Sequence, residues 1–190
     1  MRALIRFPII HGSEDMGGLD EAVNRSRTDD EILKQKAVVS YFWTTIENAI
    51  GRFNLDYNKV KIYQDSLPVC GKEADIVEDT AKTGSPNYLL LERLRNKGAK
   101  IIGTESPELL LEEYALMKRI YQADSGQALP SQELAQSLLD RRDDFIVRRI
   151  NETLFDEEMG ILFLGMNHRI EGRLPSDIKL IQPLGDLKPK

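Results

Sequence analysis

The chain has 190 residues, of which 41% are hydrophobic and 30% are charged, and this balance excludes an intrinsically disordered protein. No uncharged apolar run approaches the ~20 residues that span a bilayer, and a net charge of −5 offers no electrostatic footprint for nucleic acid or for an anionic membrane surface. The single cysteine, Cys70, excludes an internal disulfide framework and a zinc site built from cysteines.

Strand-like and helix-like patterns alternate from the start of the chain. Residues 4–10 predict a first strand, and because they lack the apolar core and cleavage site of a signal peptide we expect a soluble protein of the cytoplasm. Thr28 and Glu31 have the spacing of a capping box, which opens a long helix. Apolar residues of this helix, Leu33 and Val38 among them, recur three and four positions apart and predict a wide buried face.

The same alternation continues to the C-terminus. Ser85-Pro86 and Ser106-Pro107 have the cap-then-proline order that is favoured at helix starts. The predicted elements are a strand at 60–65, helices from 72 and at 87–97, a strand at 100–105, helices at 106–122 and 131–155, and strands at 160–165 and 178–181. The run 160–165 is almost wholly apolar, which favours a central strand covered on both faces, and the short run 178–181 is expected at an edge.

This order of elements predicts an α/β fold. We expect a layered domain with a largely parallel central sheet of about five strands flanked by helices. The stretch 123–130 has the most linker-like composition, but it is too short and too central to divide the chain. Residues 1–190 are therefore expected to form a single domain.

Chemically active side chains follow four of the predicted strands. His11, Asp65, Glu105 and His168 come at or just after their ends, and the two histidines are the only two in the chain. Because the carboxyl ends of parallel strands share one edge of a sheet, we expect these residues to lie close together. Histidine with carboxylates suits a divalent metal ion or a general acid–base pair. The alternative is that polar residues end these strands only because turns are polar.

Two arginines of the long C-terminal helix fall on its apolar stripe. At ~100° per residue, Arg142 and Arg149 lie near the centre of that stripe, where a guanidinium needs a partner. We expect Arg142 to pair with Asp65 or Glu105, or to meet an anionic substrate, unless the arginines extend past the edge of the core into solvent. The aspartates at 143–144 are expected to be solvated.

The C-terminal third carries a short motif, GMNH at 165–168, after an apolar strand. With that strand, the segment 172–174 and the strand at 178–181, it resembles the closing strand, Gly-x-x-His motif and final strand of the TraB and Tiki superfamily. That superfamily also includes erythromycin esterases and ChaN-like proteins. The helix before the motif, with its Arg-Arg-Asp sequence at 141–143, is similar to the Arg-rich helix of the same proteins.

The resemblance extends to the N-terminal part of the chain. The family has a second Gly-x-x-His there, whereas this chain keeps the histidine as His11 and has Pro8 in place of the glycine. Glu105 is similar to the strand-end glutamate of the family. The resemblance implies a hydrolase-like site that uses paired histidines and acidic residues and that is metal-dependent in Tiki-type members.

The leading hypothesis is a hydrolase with a divalent metal ion. His11, Glu105 and His168 would bind the ion, Asp65 would be a fourth ligand or the general base, and Arg142 would stabilise developing negative charge. Since histidine must be neutral to bind a metal, the affinity is expected to fall as the pH drops through about 6.5. The substrate, a small molecule or a peptide, is left open.

Two alternatives assign the same region other functions. One is a non-catalytic binding or regulatory module for a small anionic ligand or a protein partner. The other is a hydrolase that uses Cys70 as its nucleophile with a histidine as base. Substitution of Cys70 by serine separates the two enzyme hypotheses, and a homodimer is compatible with all three.

Overall fold

Strands and helices alternate along the chain in the computed structural model, which describes residues 1–10, 28–122 and 131–185. The strands are β1 (Arg2–Ile9), β2 (Val60–Gln64), β3 (Lys100–Ile102), β4 (Met159–Gly165) and β5 (Ile178–Ile181). The helices are α1 (Asp29–Ile50), α2 (Glu73–Lys82), α3 (Pro86–Asn96), α4 (Pro107–Gln122) and α5 (Gln132–Thr153), and a 3₁₀ turn covers Tyr57–Lys59.

The five strands form one parallel sheet with the order β3-β2-β4-β1-β5. The α/β fold with a parallel central sheet is therefore confirmed, as are the central place of β4 and the edge place of β5. Pairing of Gln64 with Phe163 and of Ile9 with Gly165 brings the carboxyl ends of β2, β4 and β1 to one edge. The third strand is shorter than predicted and ends at Ile102.

Alternating side chains of the strands build an apolar layer on each face of the sheet. On one face Ile5, Phe7 and Phe163 pack with α1, α2 and α3, and the Phe163 ring centroid lies 5.8 Å from that of Trp43. On the other face Leu4 and neighbouring apolar residues pack with α5 through Ile146 and Ile150. Helix α5 therefore covers the face onto which Tyr63 and, two residues later, Asp65 project.

Helix α1 begins at the predicted capping box but does not bury the whole predicted face. The Thr28 backbone N–H donates to Glu31 Oε2 at 2.8 Å, and the Glu31 N–H donates back to Thr28 Oγ1 at 3.3 Å. Leu33 and Val38 are exposed, and the buried face begins at Val39. A 22-residue helix is ~33 Å long, which exceeds the ~26 Å of the eight-residue β1, so one end overhangs the sheet. No helix of the described ranges is both long and apolar enough to cross a membrane.

Candidate functional site

Three of the four predicted strand-end residues meet at the carboxyl edge of the sheet. One ligand atom from each of Asp65, Glu105 and His168 can be chosen so that all three atoms lie within 4.8 Å of one another. All three side chains are buried, with Glu105 completely so. The expected cluster is therefore present for these residues, whereas His11 lies outside the described residues.

Helix α5 supplies the counter-charge for both carboxylates of this cluster. Arg142 is 3% exposed, and its Nε and Nη2 donate to the two oxygens of Glu105 at 3.0 and 2.6 Å. Nη2 also donates to Asp65 Oδ1 at 2.8 Å, and Nη1 pairs with Glu113 of α4. The prediction that Arg142 needs a buried carboxylate is confirmed. Arg149 instead donates to the Gly103 carbonyl at 3.3 Å and remains partly exposed.

Asp143 is a site residue that the sequence analysis assigned to solvent. It is 1% exposed, and its Oδ1 lies 2.6 Å from His168 Nδ1 while its Oδ2 accepts the Arg169 backbone N–H at 2.8 Å. Helix α5 packs against both the sheet and the chain after β4, so its buried stripe is wider than expected. Asp143 lies three and seven residues before the buried Ile146 and Ile150, and this spacing was the available signal.

The backbone of Gly165, at the end of β4, holds the second carboxylate oxygen of Asp65 in place. Its Oδ2 accepts the Gly165 N–H at 2.9 Å and lies 3.7 Å from His168 Nε2. A Cβ on Gly165 would stand 2.8 Å from that oxygen, which no real Cβ contact tolerates. The last residue of β4 must therefore lack a side chain for Asp65 to reach His168.

Glu105 reaches the cluster through a bridge between two loops, beyond the end of β3. Its N–H donates to the Leu67 carbonyl at 3.0 Å, and its carbonyl accepts from Val69 at 2.9 Å. Ser66 turns the chain with φ of 63°, a left-handed conformation that is strained for a residue with a side chain. The Ser66 N–H donates to Glu105 Oε1 at 3.3 Å, so the strained turn contributes to the site.

Burial and charge shift the pKa values of the cluster in opposite directions. Loss of hydration, with the negative charge of Asp65 beside it, raises the pKa of Glu105 despite its bonds to Arg142. Burial alone would lower the pKa of His168, but hydrogen bonds to Asp143 and Asp65 and the charge of Asp65 outweigh it and raise that pKa to about 9. Burial likewise opposes the charge of Arg142, whose pKa its carboxylate partners nevertheless raise.

The buried cluster carries more negative than permanent positive charge. The cluster holds three buried carboxylates, Asp65, Glu105 and Asp143, and one buried guanidinium, that of Arg142, which pairs with the first two. Two negative charges therefore remain when all three carboxylates are ionised and His168 is neutral. Uncompensated buried charge is costly, and the raised pKa values of His168 and Glu105 mean that protons on these two groups offset it when no cation is bound. A divalent cation would remove the whole excess.

The donor chemistry of Asp65, Glu105 and His168 fits such a cation. A nitrogen and two carboxylates suit Zn²⁺ or Mn²⁺. Metal-binding histidines almost always donate their other ring N–H to a carboxylate or carbonyl, which fixes the tautomer. Here Asp143 accepts at Nδ1, and Nε2 is left facing Asp65.

We expect Asp143→Asn to weaken metal binding about 10–100-fold, the usual cost of losing an outer-shell partner of a ligating histidine. The amide no longer favours the tautomer that leaves Nε2 free. Asp144→Asn is the matched control, because the neighbouring Asp144 is 72% exposed and pairs on the surface with Arg173. Calorimetric titration of both variants with Zn²⁺ makes the comparison, and equal affinities would contradict the assigned role of Asp143.

An open cleft of about 910 Å³ adjoins the cluster. His168, Arg6 and Glu113 lie in its wall together with Asn167 and Arg169 from the loop after β4. Helices α4 and α5 add the apolar side chains Leu116, Met117, Ala135, Leu138 and Leu139 to its lining. The site is therefore reached from an amphipathic cleft on the α5 side of the sheet.

Cys70 lies on the exposed surface after β2. Its backbone N–H donates to Glu73 Oε1 at 2.8 Å. His168 is the one histidine within the described ranges, and its two ring nitrogens face Asp143 and Asp65. The described geometry thus favours the carboxylate–histidine cluster over Cys70 as the centre of chemistry.

Comparisons of the chain with protein-family models, with curated proteins and with solved structures found no match.

Proposed function

We propose that the protein is a divalent-metal-dependent hydrolase whose ion is held by Asp65, Glu105 and His168. The observation that carries the proposal is the orientation of His168, which gives Nδ1 to Asp143 and presents Nε2 to Asp65 within a buried cluster of excess negative charge. His11 remains a further candidate ligand from the sequence. We also propose distant membership of the TraB and Tiki superfamily, supported by the meeting of Glu105 and His168 with Arg142 in one site.

In this proposal the metal ion and Arg142 have different roles. A bound divalent ion would supply Lewis-acid polarisation and a water of lowered pKa. Arg142 holds Asp65 and Glu105 in place, and its Nη1 is covered by the partly exposed Glu113 of the cleft wall. An anionic group that displaced Glu113 would meet the Arg142 guanidinium, which is how this arginine would stabilise developing charge.

The cleft favours a carboxylic ester or amide with an apolar body over a phosphate. Leu139, Met117 and Met166 offer apolar contact area beside His168. Phosphate recognition normally uses several cations, whereas of the two arginines in the cleft wall Arg6 is paired with Glu171, which leaves Arg169 as the other cation.

Hydrolysis of a substrate panel tests the function. Nitrophenyl esters of short and medium acyl chains, an amino-acyl nitroanilide and nitrophenyl phosphate are offered to the protein with Zn²⁺, with Mn²⁺ or with a chelator. We expect metal-dependent turnover of an ester or the anilide that is lost in His168→Ala and kept in Cys70→Ser. Metal binding without turnover of any compound would favour the binding module, and loss of turnover in Cys70→Ser would favour the thiol enzyme.

We expect the affinity for Zn²⁺ to be still rising at about pH 8, roughly tenfold per pH unit, because the ion must displace the proton of His168. Free histidine would place this window at about pH 6.5, but Asp143 and Asp65 raise the pKa to about 9 and move the window upward. Calorimetry in two buffers of different ionisation enthalpy measures the released proton. An affinity that stays constant above about pH 7 would contradict the assigned charge state.

A further inference from the structure

Strand β1 buries two arginines on the same face of the sheet. Arg2 and Arg6 are four residues apart, which puts their side chains on one face, and they are 9% and 8% exposed. Both pair with an acidic residue of the connection between β4 and β5, Asp177 for Arg2 and Glu171 for Arg6. A charged side chain inside a parallel sheet is costly to bury, so each contact has to be specific.

Arg2 closes the amino end of the sheet, away from the site. Its guanidinium donates to Asp177, to Asn151 and to the Leu154 carbonyl. These partners hold the end of α5 and the start of β5 together. Arg2 is therefore an architectural arginine and a matched reference for Arg6.

Arg6 contacts the site itself. Its Nη2 donates to the main-chain carbonyl of His168 at 3.1 Å, and its Nη1 pairs with Glu171 three residues further along. On the other side, Asp143 accepts from the His168 ring and from the Arg169 N–H. The peptide between His168 and Arg169 is thus held through its carbonyl by β1 and through its N–H by α5.

We propose that Arg6 is a positioning residue for His168. It fixes the main chain of the loop after β4 so that the ring, once bonded to Asp143, directs Nε2 toward Asp65. Glu171 of the cleft wall completes the arrangement, because its pairing with Arg6 ties the orientation of His168 to the surface that a substrate would contact. The inference rests on the proposed function in that it takes His168 as a site residue.

The test compares Arg6→Met with Arg2→Met, since methionine keeps much of the length and loses the charge and the donors. The first readout needs no metal: long-range ¹H–¹⁵N spectra of the histidine ring report its tautomer and the hydrogen bond at Nδ1. We expect Arg6→Met to change the His168 signals and to weaken Zn²⁺ binding about tenfold, the lower end of what outer-shell changes cost. We expect Arg2→Met to leave both unchanged and Arg6→Lys to restore part of the signal.

The role of Arg6 can be tested even if the metal assignment fails or the Arg6→Met variant does not fold. If the wild type binds no Zn²⁺, the metal assignment fails, and the ring spectra alone decide the role of Arg6. If Arg6→Met does not fold, Glu171→Gln replaces it, because Glu171 is 39% exposed and the substitution removes the ion pair with Arg6 while the amide oxygen can still accept a hydrogen bond from that guanidinium. The inference is overturned if the His168 signals are unchanged in a folded Arg6→Met variant, or in Glu171→Gln when that variant is used instead. Changes of equal size in Arg2→Met would overturn it as well.

Discussion

Replacing Arg142 with methionine should lower the free energy of unfolding by about 3–5 kcal/mol near neutral pH, the usual cost of removing one partner of a buried ion pair. Asp65 and Glu105 would be left as buried carboxylates without their common counter-charge. Arg141→Met is the matched control on the same helix. Arg141 pairs with Glu112 on the surface, where both side chains are about half exposed and water screens the pair, so its loss should cost far less than the loss of Arg142.

The pH dependence of this loss has a definite sign. Without Arg142 the pKa of Glu105 in the folded protein rises further above its value in the unfolded chain. The folded state of the variant therefore binds this proton more strongly than the unfolded chain does. The deficit is therefore full above the pKa that Glu105 takes in the variant, and it shrinks as the pH falls toward the already raised pKa of Glu105 in the wild type, below which both folded proteins hold this proton. Urea denaturation at several pH values measures this loss of unfolding free energy. Equal losses in the Arg141 and Arg142 variants would contradict the claim that Arg142 balances the buried charges of Asp65 and Glu105.

Replacing His168 with alanine should weaken Zn²⁺ binding by more than about 100-fold, because a ligand is lost rather than an outer-shell partner. The backbone of the loop stays tied to α5 through the Arg169 N–H, so the chain should remain folded by circular dichroism. Asn167→Ala is the matched control, since the neighbouring Asn167 is exposed in the same loop and lines the cleft. Zn²⁺ held by His168→Ala as tightly as by the wild type would remove this histidine from the site.

The parts of the fold and site that depend on local pattern were predictable from the sequence. The apolar run of β4 predicts a central strand, and the rule that parallel strands share a carboxyl edge brings Asp65, Glu105 and His168 together. The helical phase of Arg142 predicts a buried partner, and it has two. Each of these follows from a pattern within one element or from the general rule for the edges of parallel sheets.

The parts that depend on packing between distant elements were not. Asp143 lies among charged residues and was assigned to solvent, because nothing local indicates that the loop after β4 covers that side of α5. Leu33 and Val38 have the right period but lie before the packed part of α1. The raised pKa of His168 depends on two aspartates from different elements, Asp65 and Asp143. The pH range predicted from the sequence for the change in metal affinity was therefore that of a free histidine.

The central claim is that Asp65, Glu105 and His168 bind one divalent ion, and a calorimetric titration of chelator-treated protein with Zn²⁺ at about pH 8 tests it most directly. We predict one ion per chain in the wild type and a large loss of affinity in the double variant Asp65→Asn, Glu105→Gln, which keeps the shapes of both side chains and removes their charges. Absence of binding in the wild type, or wild-type binding in the double variant, would contradict the claim.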